Sequence, residues 1–334
     1  MDKTPEPSGI AEFVVRHLTA ARGNGLVDRA GRWLFTRLRR MLVSRGDRHV
    51  RMDLGGSELL VPLDHDLPFI RALHPQYSAN IGRLCRYIAE SDPETTIVDI
   101  GANIGDTVAI IREHCQSPIL CIEPNPRYFR LLQANLQRAR LPDVQSIEAF
   151  VATYTGEIRG QLVSGAGSGH FTLTGDGAMQ ARRLSDILED YPQFLRPRVV
   201  KIDTDGFDCS ILRSELEWLE DVQPVVFFEY DPFFFTPHAY DGSQIFKDLL
   251  NAGYTFAIFY DNVGDYLTAL DLTRDQSVLE DLQQYFVGRG GHQYLDVAVF
   301  PRQDYELALK IRMRETALSR KDRQQAAGQL YPST

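Results

Sequence analysis

The chain has 334 residues, of which 43% are hydrophobic and 24% are charged. These fractions are ordinary for a globular protein and exclude collagen-like and disordered classes. Forty-five acidic against 36 basic residues give a formal net charge of −9, so a general nucleic-acid-binding protein is not expected. No apolar run approaches the length of a membrane helix, and the first residues lack the pattern of a signal peptide.

The cysteines are few and scattered, at Cys85, Cys115, Cys121 and Cys209. None belongs to a Cys-x-x-Cys pair, which argues against a zinc site or a disulfide framework. Reduced thiols in a cytoplasmic protein are therefore expected.

Basic residues concentrate at the N-terminus. Residues 1–51 contain 11 Lys and Arg against 5 Asp and Glu, a net charge of +6, which leaves −15 for the remainder. Within this region apolar residues recur at helical spacing, at Trp33, Leu34, Leu38, Met41 and Leu42, and arginines fill most of the gaps. Such a helix either lies on an anionic membrane surface, at the inner face of the membrane, or packs on its own domain with a solvated arginine face.

Further along, alternation on both sides of Gly55-Gly56 predicts a β-hairpin over 50–61, and periodicity predicts a helix over 76–90. From residue 95 short apolar runs alternate with helical patterns. The predicted strands are 96–100, 119–122, 144–147, 199–202, 224–228, 254–259 and 294–300, and the predicted helices are 105–114, 126–139, 184–190, 207–219 and 243–251.

This order predicts an α/β fold with a seven-stranded, mostly parallel sheet covered on both faces, in which the last two strands form an antiparallel edge. Three regions are expected: an N-terminal helix and hairpin extension over 1–75, the α/β domain over 76–303, and a tail over 304–334. The tail has helical propensity, and its last ten residues are expected to be disordered. The sequence gives no oligomeric state.

The candidate site lies where the strands end, because ligands of open α/β sheets bind outside the carboxyl ends of the strands. The first strand ends in Asp99-Ile100-Gly101-Ala102-Asn103-Ile104-Gly105. The glycines allow a tight turn, and Asn103 tolerates a positive φ. The spacing is not Gly-x-Gly-x-x-Gly, so a pyrophosphate site is less favoured.

Carboxylates follow the other strands. Glu123-Pro124 ends the second strand, where an acidic residue suits a ribose diol, although a solvated loop glutamate is the alternative. The fourth strand end carries Asp203, Asp205 and Asp208, and the fifth carries Glu229 and Asp231. Asp208 has a simpler interpretation, since a carboxylate at the start of a helix is favourable.

Residues of about 76–300 resemble the FkbM-type, S-adenosylmethionine-dependent methyltransferases of the class I fold. Four segments carry the resemblance: Val98–Thr107, Ile122–Pro126, Val200–Asp208 and Phe228–Tyr230. The family usually has Glu where Asp205 stands and a smaller residue where Phe207 stands. The variant at Asp205–Asp208 is similar to that of a subgroup associated with polysaccharide and lipopolysaccharide genes.

The resemblance implies S-adenosylmethionine as the methyl donor. Glu123 with Pro124 would hold the ribose, and Asp99 and the turn of Gly101, Ala102, Asn103 and Gly105 would meet the methionine end. Glu148 or Ala149 would contact the adenine. The expected base or metal ligand is Asp203, followed by Glu229 and Asp231, with Mg²⁺ favoured by oxygen ligands if a metal is used.

Other residues have weaker claims. His238 is a further candidate base, although a lone histidine is more often structural or exposed. The aromatic residues around it, Phe233, Phe234, Phe235 and Tyr240, either stack on an acceptor or pack under a loop. The glycine-rich stretch 164–177, with His170, is either a lid or a flexible loop, and Tyr77 is a candidate to close over the cofactor.

The expected reaction is methylation of a hydroxyl on a sugar of a surface glycan or glycolipid. A small natural product such as a polyketide is the alternative acceptor. Two other classes remain open: a nicotinamide-dependent oxidoreductase on a similar sheet, and a scaffold that kept the fold without the chemistry.

Overall fold

The computed structural model describes residues 5–20, 26–165, 167–172, 177–204, 206–231, 244–287 and 293–330. The helices are α1 Gly9–Ala20, α2 Leu26–Val43, α3 Leu67–Leu73, α4 Ala79–Ser91, α5 Asp106–Arg112, α6 Pro126–Ala139, α7 Leu184–Leu188, α8 Asp208–Ser214, α9 Leu216–Val222, α10 Gln244–Asn251, α11 Gln276–Val287 and α12 Tyr305–Leu330. The strands are β1 His49–Leu54, β2 Ser57–Pro62, β3 Ile97–Ile100, β4 Ile119–Ile122, β5 Val144–Ile147, β6 Phe150–Val151, β7 Gly156–Arg159, β8 Gln161–Gly165, β9 Ser168–Thr172, β10 Ala178–Arg182, β11 Val199–Ile202, β12 Val225–Tyr230, β13 Tyr254–Asp261, β14 Tyr266–Asp271 and β15 Leu295–Pro301.

The main sheet has eight strands in the order β14-β13-β15-β12-β11-β3-β4-β5. Neighbouring strands in the part of the sheet formed by β12, β11, β3, β4 and β5 pair in parallel. Strand β15 pairs antiparallel with both β12 and β13. The predicted α/β fold is confirmed. The last two predicted strands do pair antiparallel, but β15 lies inside the sheet, and the antiparallel strand at the edge is β14, which the sequence analysis did not predict.

The strands are buried on both faces, as expected for a parallel sheet covered by helices. Along β3, Ile97 packs into one core cluster while Val98 and Ile100 pack into the other. Residues of α4, α5 and α6 belong to the first cluster, and residues of α7, α8, α9, α10 and α11 belong to the second. The alternation of side chains along each strand therefore builds two separate cores, one on each side of the sheet.

The N-terminal segment packs on the first of these cores. The predicted hairpin is present as β1 and β2, with Gly55 and Gly56 at positive φ between them. The side chain of Asn135 in α6 accepts from the backbone N–H of Leu60 and donates to its carbonyl, at 2.7 and 3.1 Å. These paired hydrogen bonds fix the hairpin to the helix that follows β4.

Helix α2 divides its apolar residues between the core and the surface. Leu42 is 4% exposed and belongs to the core, and Leu38 packs against it. Trp33 is 63% exposed and Leu34 is 55% exposed. One face of α2 therefore packs on the domain, and the other leaves Trp33 and Leu34 exposed.

The glycine-rich interval after β5 forms two small sheets in its described part. Strands β8 and β9 make an antiparallel hairpin, and β10 lies between β6 and β7. Helix α12 then covers α4 and continues through Leu330. The helix thus extends into the last ten residues, which the sequence analysis expected to be disordered. In the described part of the chain, no helix has the length and apolar character required to cross a membrane.

Candidate functional site

A cavity opens at the carboxyl ends of the strands, next to the point where the chain order reverses between β3 and β11. Its wall includes seven residues of the predicted site: Gly101, Asn103, Glu123, Pro124, Ala149, Asp203 and Glu229. Tyr77 also lines it. Open α/β sheets bind ligands at this position because the strand ends diverge there and leave a crevice.

Other predicted residues do not reach the cavity wall. Asp99 and Ala102 are buried beneath it, and Gly105 begins α5 behind the turn. Glu148 is exposed and lies outside the cavity, so of the two candidates for the adenine contact only Ala149 is placed to make it. Residues 173–176, 205 and 232–243 are outside the described residues. The predictions for Asp205, His238, Phe233, Phe234, Phe235 and Tyr240 therefore fall outside them too. The side chain of His170 is likewise not described.

The turn after β3 needs glycine at its first position. Gly101 has φ +78°, and a Cβ at this position would overlap the backbone carbonyl of Asp203. Asn103 has φ +49°, as its residue type predicted. The turn therefore lies directly against the end of β11, and it exposes its backbone to the cavity.

Glu123 lies in the cavity wall with 5% of its surface exposed. Its Oε2 accepts from the backbone N–H of Asn103 and its Oε1 from the N–H of Asn125, both at 2.8 Å. Burial raises the pKa of this carboxyl to about 7, although the two N–H donors oppose the shift. A carboxylate oxygen can accept more than one hydrogen bond, so each oxygen retains capacity for a hydroxyl of a ligand.

Lys201 forms the centre of a buried charge cluster. It pairs in register with Asp99 on the neighbouring strand, and its Nζ lies 3.0 Å from Oδ1 of Asp99 and 3.3 Å from Oδ2 of Asp203. Burial lowers the pKa of Lys201, but the carboxylates of Asp203 and Asp99 outweigh burial and raise it well above its usual value. The ammonium group therefore remains charged and holds the two strand ends together.

Asp208 is the first residue of α8, and its side chain contacts the loop that precedes the helix. Its Oδ2 accepts from the hydroxyl of Thr204 at 3.0 Å and from the backbone N–H of Thr204 at 3.3 Å. Burial raises its pKa to about 7. The side chain thus braces the loop between β11 and α8 and is absent from the cavity wall.

The structure does not support the predicted metal set of Asp203, Glu229 and Asp231. Among the described residues, which include all three, no group of three or more His, Cys, Asp or Glu side chains is arranged to hold a metal ion. Asp231 is buried and does not line the cavity. Next to Asp203 the positive charge comes instead from Lys201.

Several cavity residues were missed by the sequence analysis. Asn80, Tyr294 and Asp296 line the wall opposite Glu123, together with Ser78 and Asn262. Asn80 donates to Oδ2 of Asp296 at 2.7 Å. The sequence contained one signal for this part of the site, which was Asp296 itself. It is a charged residue at the start of an otherwise apolar strand, and burying a charge there costs free energy unless the charge has a partner or a role.

The hairpin of β8 and β9 approaches the other end of the cavity. Asn103 Nδ2 donates to the carbonyl of Gly167 at 2.6 Å, and a Cβ on Gly167 would overlap the ring of His65. Leu162 and Gly167 of the hairpin line the cavity beside Phe150 and Val151. The hairpin therefore covers the part of the site that adjoins β5.

Residues 99–256 match the Methyltransferase FkbM domain. An FkbM methyltransferase domain therefore covers a little under half of the chain. The hexuronic acid methyltransferase AglP of Haloferax volcanii is 26% identical over 140 residues, which cover 42% of this chain and 57% of that protein. Methyltransferase 1 of Beauveria bassiana is 26% identical over 154 residues, covering 39% of this chain and 62% of that protein. The chain thus spans less than two thirds of either relative.

Among solved structures, the FkbM methyltransferase from Methylobacillus flagellatus is 14% identical, with a TM-score of 0.35 over 58% of this chain and 55% of that chain. The FkbM match begins at Asp99 and includes the turn, Glu123 and the end of β11. The matched domain therefore supplies most of the cavity wall, and residues 1–98 and 257–334 supply the rest from outside the match.

Proposed function

We propose that this protein is an S-adenosylmethionine-dependent methyltransferase that methylates a hydroxyl of a sugar in a surface glycan or glycolipid. The observation that carries the proposal is the position of Glu123, which faces the cavity with both oxygens oriented by backbone N–H groups. Because a ribose presents two adjacent hydroxyl donors, a fixed carboxylate is the group that suits it.

The cavity also fits the rest of the nucleoside. Ala149, Phe150 and Leu162 supply an apolar wall next to Glu123, where a flat base would lie. Toward the centre, the carboxylates of Asp203 and Asp106 line the cavity and Lys201 is their neighbouring cation. An excess of acidic groups at this point favours a ligand whose far end carries a cationic amine and a sulfonium.

S-adenosylmethionine, when bound, supplies a methyl group activated by a positively charged sulfur. The protein's residues then have to orient the acceptor, exclude water and remove a proton. Holding donor and acceptor in line supplies a large part of the rate of such a transfer. The turn of Gly101 and Asn103 and the hairpin at Gly167 form the walls that would fix the donor.

A sugar acceptor is supported by two observations. The family relative from Haloferax volcanii is named a hexuronic acid methyltransferase, at 26% identity. The acceptor end of the cavity presents polar groups from Tyr77, Asn262 and Tyr294, which can hydrogen-bond several hydroxyls. A small natural product remains the alternative acceptor, and the family match favours methyl transfer over nicotinamide-dependent oxidoreduction.

We further propose that the N-terminal helices bring the enzyme to an anionic membrane surface. Trp33 and Leu34 of α2 and Phe13 of α1 are half or more exposed, and Arg37 lies over the Trp33 ring at 5.5 Å. Exposed arginines at Arg29, Arg40 and Arg45 flank these residues. Exposed aromatic and aliphatic side chains among arginines are typical of helices at the membrane interface.

The membrane proposal is tested by sedimentation with lipid vesicles. We expect binding to vesicles that contain phosphatidylglycerol and little binding to pure phosphatidylcholine. The double variant Trp33→Ser, Leu34→Ser is expected to lose the binding. The control Leu267→Ser removes an exposed apolar side chain from β14, at the edge of the main sheet. Equal binding of wild type and the double variant would contradict the proposal.

The catalytic proposal is tested in two steps. First, calorimetry with S-adenosylhomocysteine and with NAD should show binding of the former and none of the latter. Second, incubation with methyl-labelled S-adenosylmethionine and a cell-envelope extract should place the label in a saccharide-containing fraction. Label in a lipid-soluble small-molecule fraction would favour the alternative acceptor. Binding of NAD alone would overturn the assignment.

A further inference from the structure

We propose that Asp296 is the base that accepts the proton of the acceptor hydroxyl, with Glu229 as its neighbouring carboxylate and Asn80 as its positioning residue. The inference rests on the proposed function, and it names a base that lies outside the matched family domain, which ends at residue 256. It replaces the sequence-based candidates Asp203 and His238 in that role.

The first argument is the register of the sheet. Glu229 of β12 stands directly opposite Asp296 of β15 in the antiparallel pair, and both residues line the cavity. Side chains directly opposite one another in such a pair have Cβ atoms about 5 Å apart. Two carboxyl groups at that distance in a cavity disfavour double ionisation, so a proton taken up by the pair is stabilised there.

The second argument is the fixed orientation of the Asp296 carboxylate. Asn80 in α4 is fully buried, and its Nδ2 donates to Oδ2 of Asp296 at 2.7 Å. The Oδ1 of Asn80 in turn accepts from the backbone N–H of Ile81 at 3.0 Å, which fixes the amide. With Oδ2 held in this way, Oδ1 of Asp296 is the oxygen available to an acceptor in the cavity.

The third argument is the electrostatic setting of Asp296. Burial raises its pKa to about 7, with Asp203 adding to the rise and Asn80 and Lys201 opposing it. The other groups that face it are Glu229, Asp261 of β13, and the phenols of Tyr77, Tyr260 and Tyr294. A base with a pKa near the working pH is ionised often enough to act and basic enough to take a proton.

Asp203 is less suited to the same role. Its carboxylate lies 3.3 Å from the ammonium of Lys201, and its side chain is about half exposed, at 48%. Because the carboxylate is engaged by Lys201 and open to solvent, water competes with an acceptor hydroxyl for it. Asp203 is better placed to contribute negative charge near a sulfonium than to accept a proton.

The O–H bond of the acceptor breaks, and its proton forms a new bond to Oδ1 of Asp296. The electron pair left on the acceptor oxygen forms the new bond to the methyl carbon. The bond between methyl carbon and sulfur breaks, and its electron pair remains on sulfur, which becomes a neutral thioether. Asp296 then releases the proton to water when the product leaves.

The central experiment uses the variant Asp296→Asn, with Asp281→Asn as the matched control. Asp281 is an exposed carboxylate on α11 outside the cavity. With the saccharide fraction that accepts label from wild type, we expect kcat for Asp296→Asn to fall at least about 100-fold. S-adenosylhomocysteine affinity should stay within about twofold of wild type, because a base on the acceptor acts after donor binding. Wild-type turnover by Asp296→Asn would overturn the proposal, and so would loss of S-adenosylhomocysteine binding.

Two further variants test the roles of Asn80 and Glu229 through the pH profile of kcat/KM. When a base is required, kcat/KM falls at low pH because the base becomes protonated. Asn80→Ala removes a hydrogen bond to the ionised form, so the fall should move to higher pH. Glu229→Gln removes a neighbouring negative charge, so the fall should move to lower pH. A merely structural role would lower the rate without moving the profile, and unmoved profiles would overturn the assignment.

A titration without donor or acceptor separates this inference from the proposed function. With ¹³C-labelled aspartate, the carboxyl resonance that disappears in Asp296→Asn identifies Asp296 in the wild-type spectrum. We expect this resonance to titrate near pH 7 in wild type and at higher pH in Asn80→Ala. Titration below pH 5 would contradict a poised base even if the enzyme transfers methyl groups. The protein could instead show titration of Asp296 near pH 7 but no binding of S-adenosylhomocysteine. That result would support the raised pKa of the buried carboxyl and reject the proposed function.

Discussion

Oε2 of Glu123 accepts the backbone N–H of Asn103 at 2.8 Å, which joins the end of β4 to the turn that follows β3. Asn103 has φ +49° there, and its side chain donates in turn to the carbonyl of Gly167. The carboxylate proposed to bind the ribose therefore also fixes the turn and, through it, the hairpin that covers the cavity. Binding and local order are coupled at one side chain.

Replacing Glu123 by Ala is expected to weaken S-adenosylhomocysteine binding by about 100-fold or more. The estimate assumes the loss of two hydrogen bonds to a charged acceptor, each worth about 1.5–3 kcal/mol. Calorimetric titration measures the change. The matched control is Glu148→Gln, an exposed carboxyl that does not line the cavity, for which the affinity should not change. Equal losses in both variants would contradict the ribose contact.

The affinity for S-adenosylhomocysteine is expected to depend on pH through Glu123. Burial raises the pKa of this carboxyl to about 7, and the ionised form is the better acceptor for two hydroxyls. The affinity should therefore rise from pH 5.5 to about pH 7 and level off above it, by up to about tenfold per pH unit below the pKa. Titrations at several pH values measure the profile.

Glu123→Gln provides the control for that profile, because it keeps the shape of the side chain and removes its titration. We expect the dependence to disappear in this variant and to persist in Asp296→Asn, whose carboxyl lies at the acceptor end of the cavity. If the affinity of Glu123→Gln still depended on pH, the pH dependence would come from another titrating group.

Substituting Ala at Gly101 should destabilise the fold by at least about 3 kcal/mol. Part of the cost is the positive φ of +78°, which disfavours a side chain by about 1–2 kcal/mol. The rest comes from the overlap of the new Cβ with the backbone carbonyl of Asp203, which cannot move without displacing β11. Urea unfolding measures the loss. A loss below about 1 kcal/mol would show that the turn relaxes.

Gly31 is the matched control for this substitution. It lies inside α2, where a Cβ would meet no atom within 4 Å. An Ala in a helix interior is favoured over Gly by about 0.5–1 kcal/mol. Gly31→Ala should therefore raise the free energy of unfolding, so that the same chemical change has opposite signs at the two positions.

The sequence predicted the central part of the fold because its local patterns and its tertiary structure agree. Strands β3, β4 and β11 are short apolar runs between turn residues, and each was predicted within about a residue of its observed bounds. The turn at Gly101 and the carboxylate at Glu123 follow from those bounds. Strand β14 was missed because its residues alternate only weakly, although it follows its partner β13 after a short turn over 262–265.

The acceptor end of the site could not be predicted in the same way. Asp296 and Glu229 are brought together by the insertion of β15 between β12 and β13, a pairing that no local pattern encodes. Asn80 reaches Asp296 from a helix more than two hundred residues earlier in the chain. Residues that meet only through long-range pairing carry no spacing signal. The sequence therefore indicates the part of the cavity next to Glu123 and leaves the part next to Asp296 open.

The buried ion pair between Arg83 and Glu315 is expected to contribute strongly to stability. Arg83 Nη2 lies 2.8 Å from Oε2 of Glu315 and also donates to the carbonyl of Gly264, next to the cavity residue Asn262. Glu315→Ala leaves a buried guanidinium without its counter-charge, which typically costs about 3–5 kcal/mol. The exposed pair of Arg314 and Glu90 on the same helices is the control, and Glu90→Ala should cost less than about 1 kcal/mol. Urea unfolding at pH 7 distinguishes the two, and equal losses would show that burial does not set the strength of the pair.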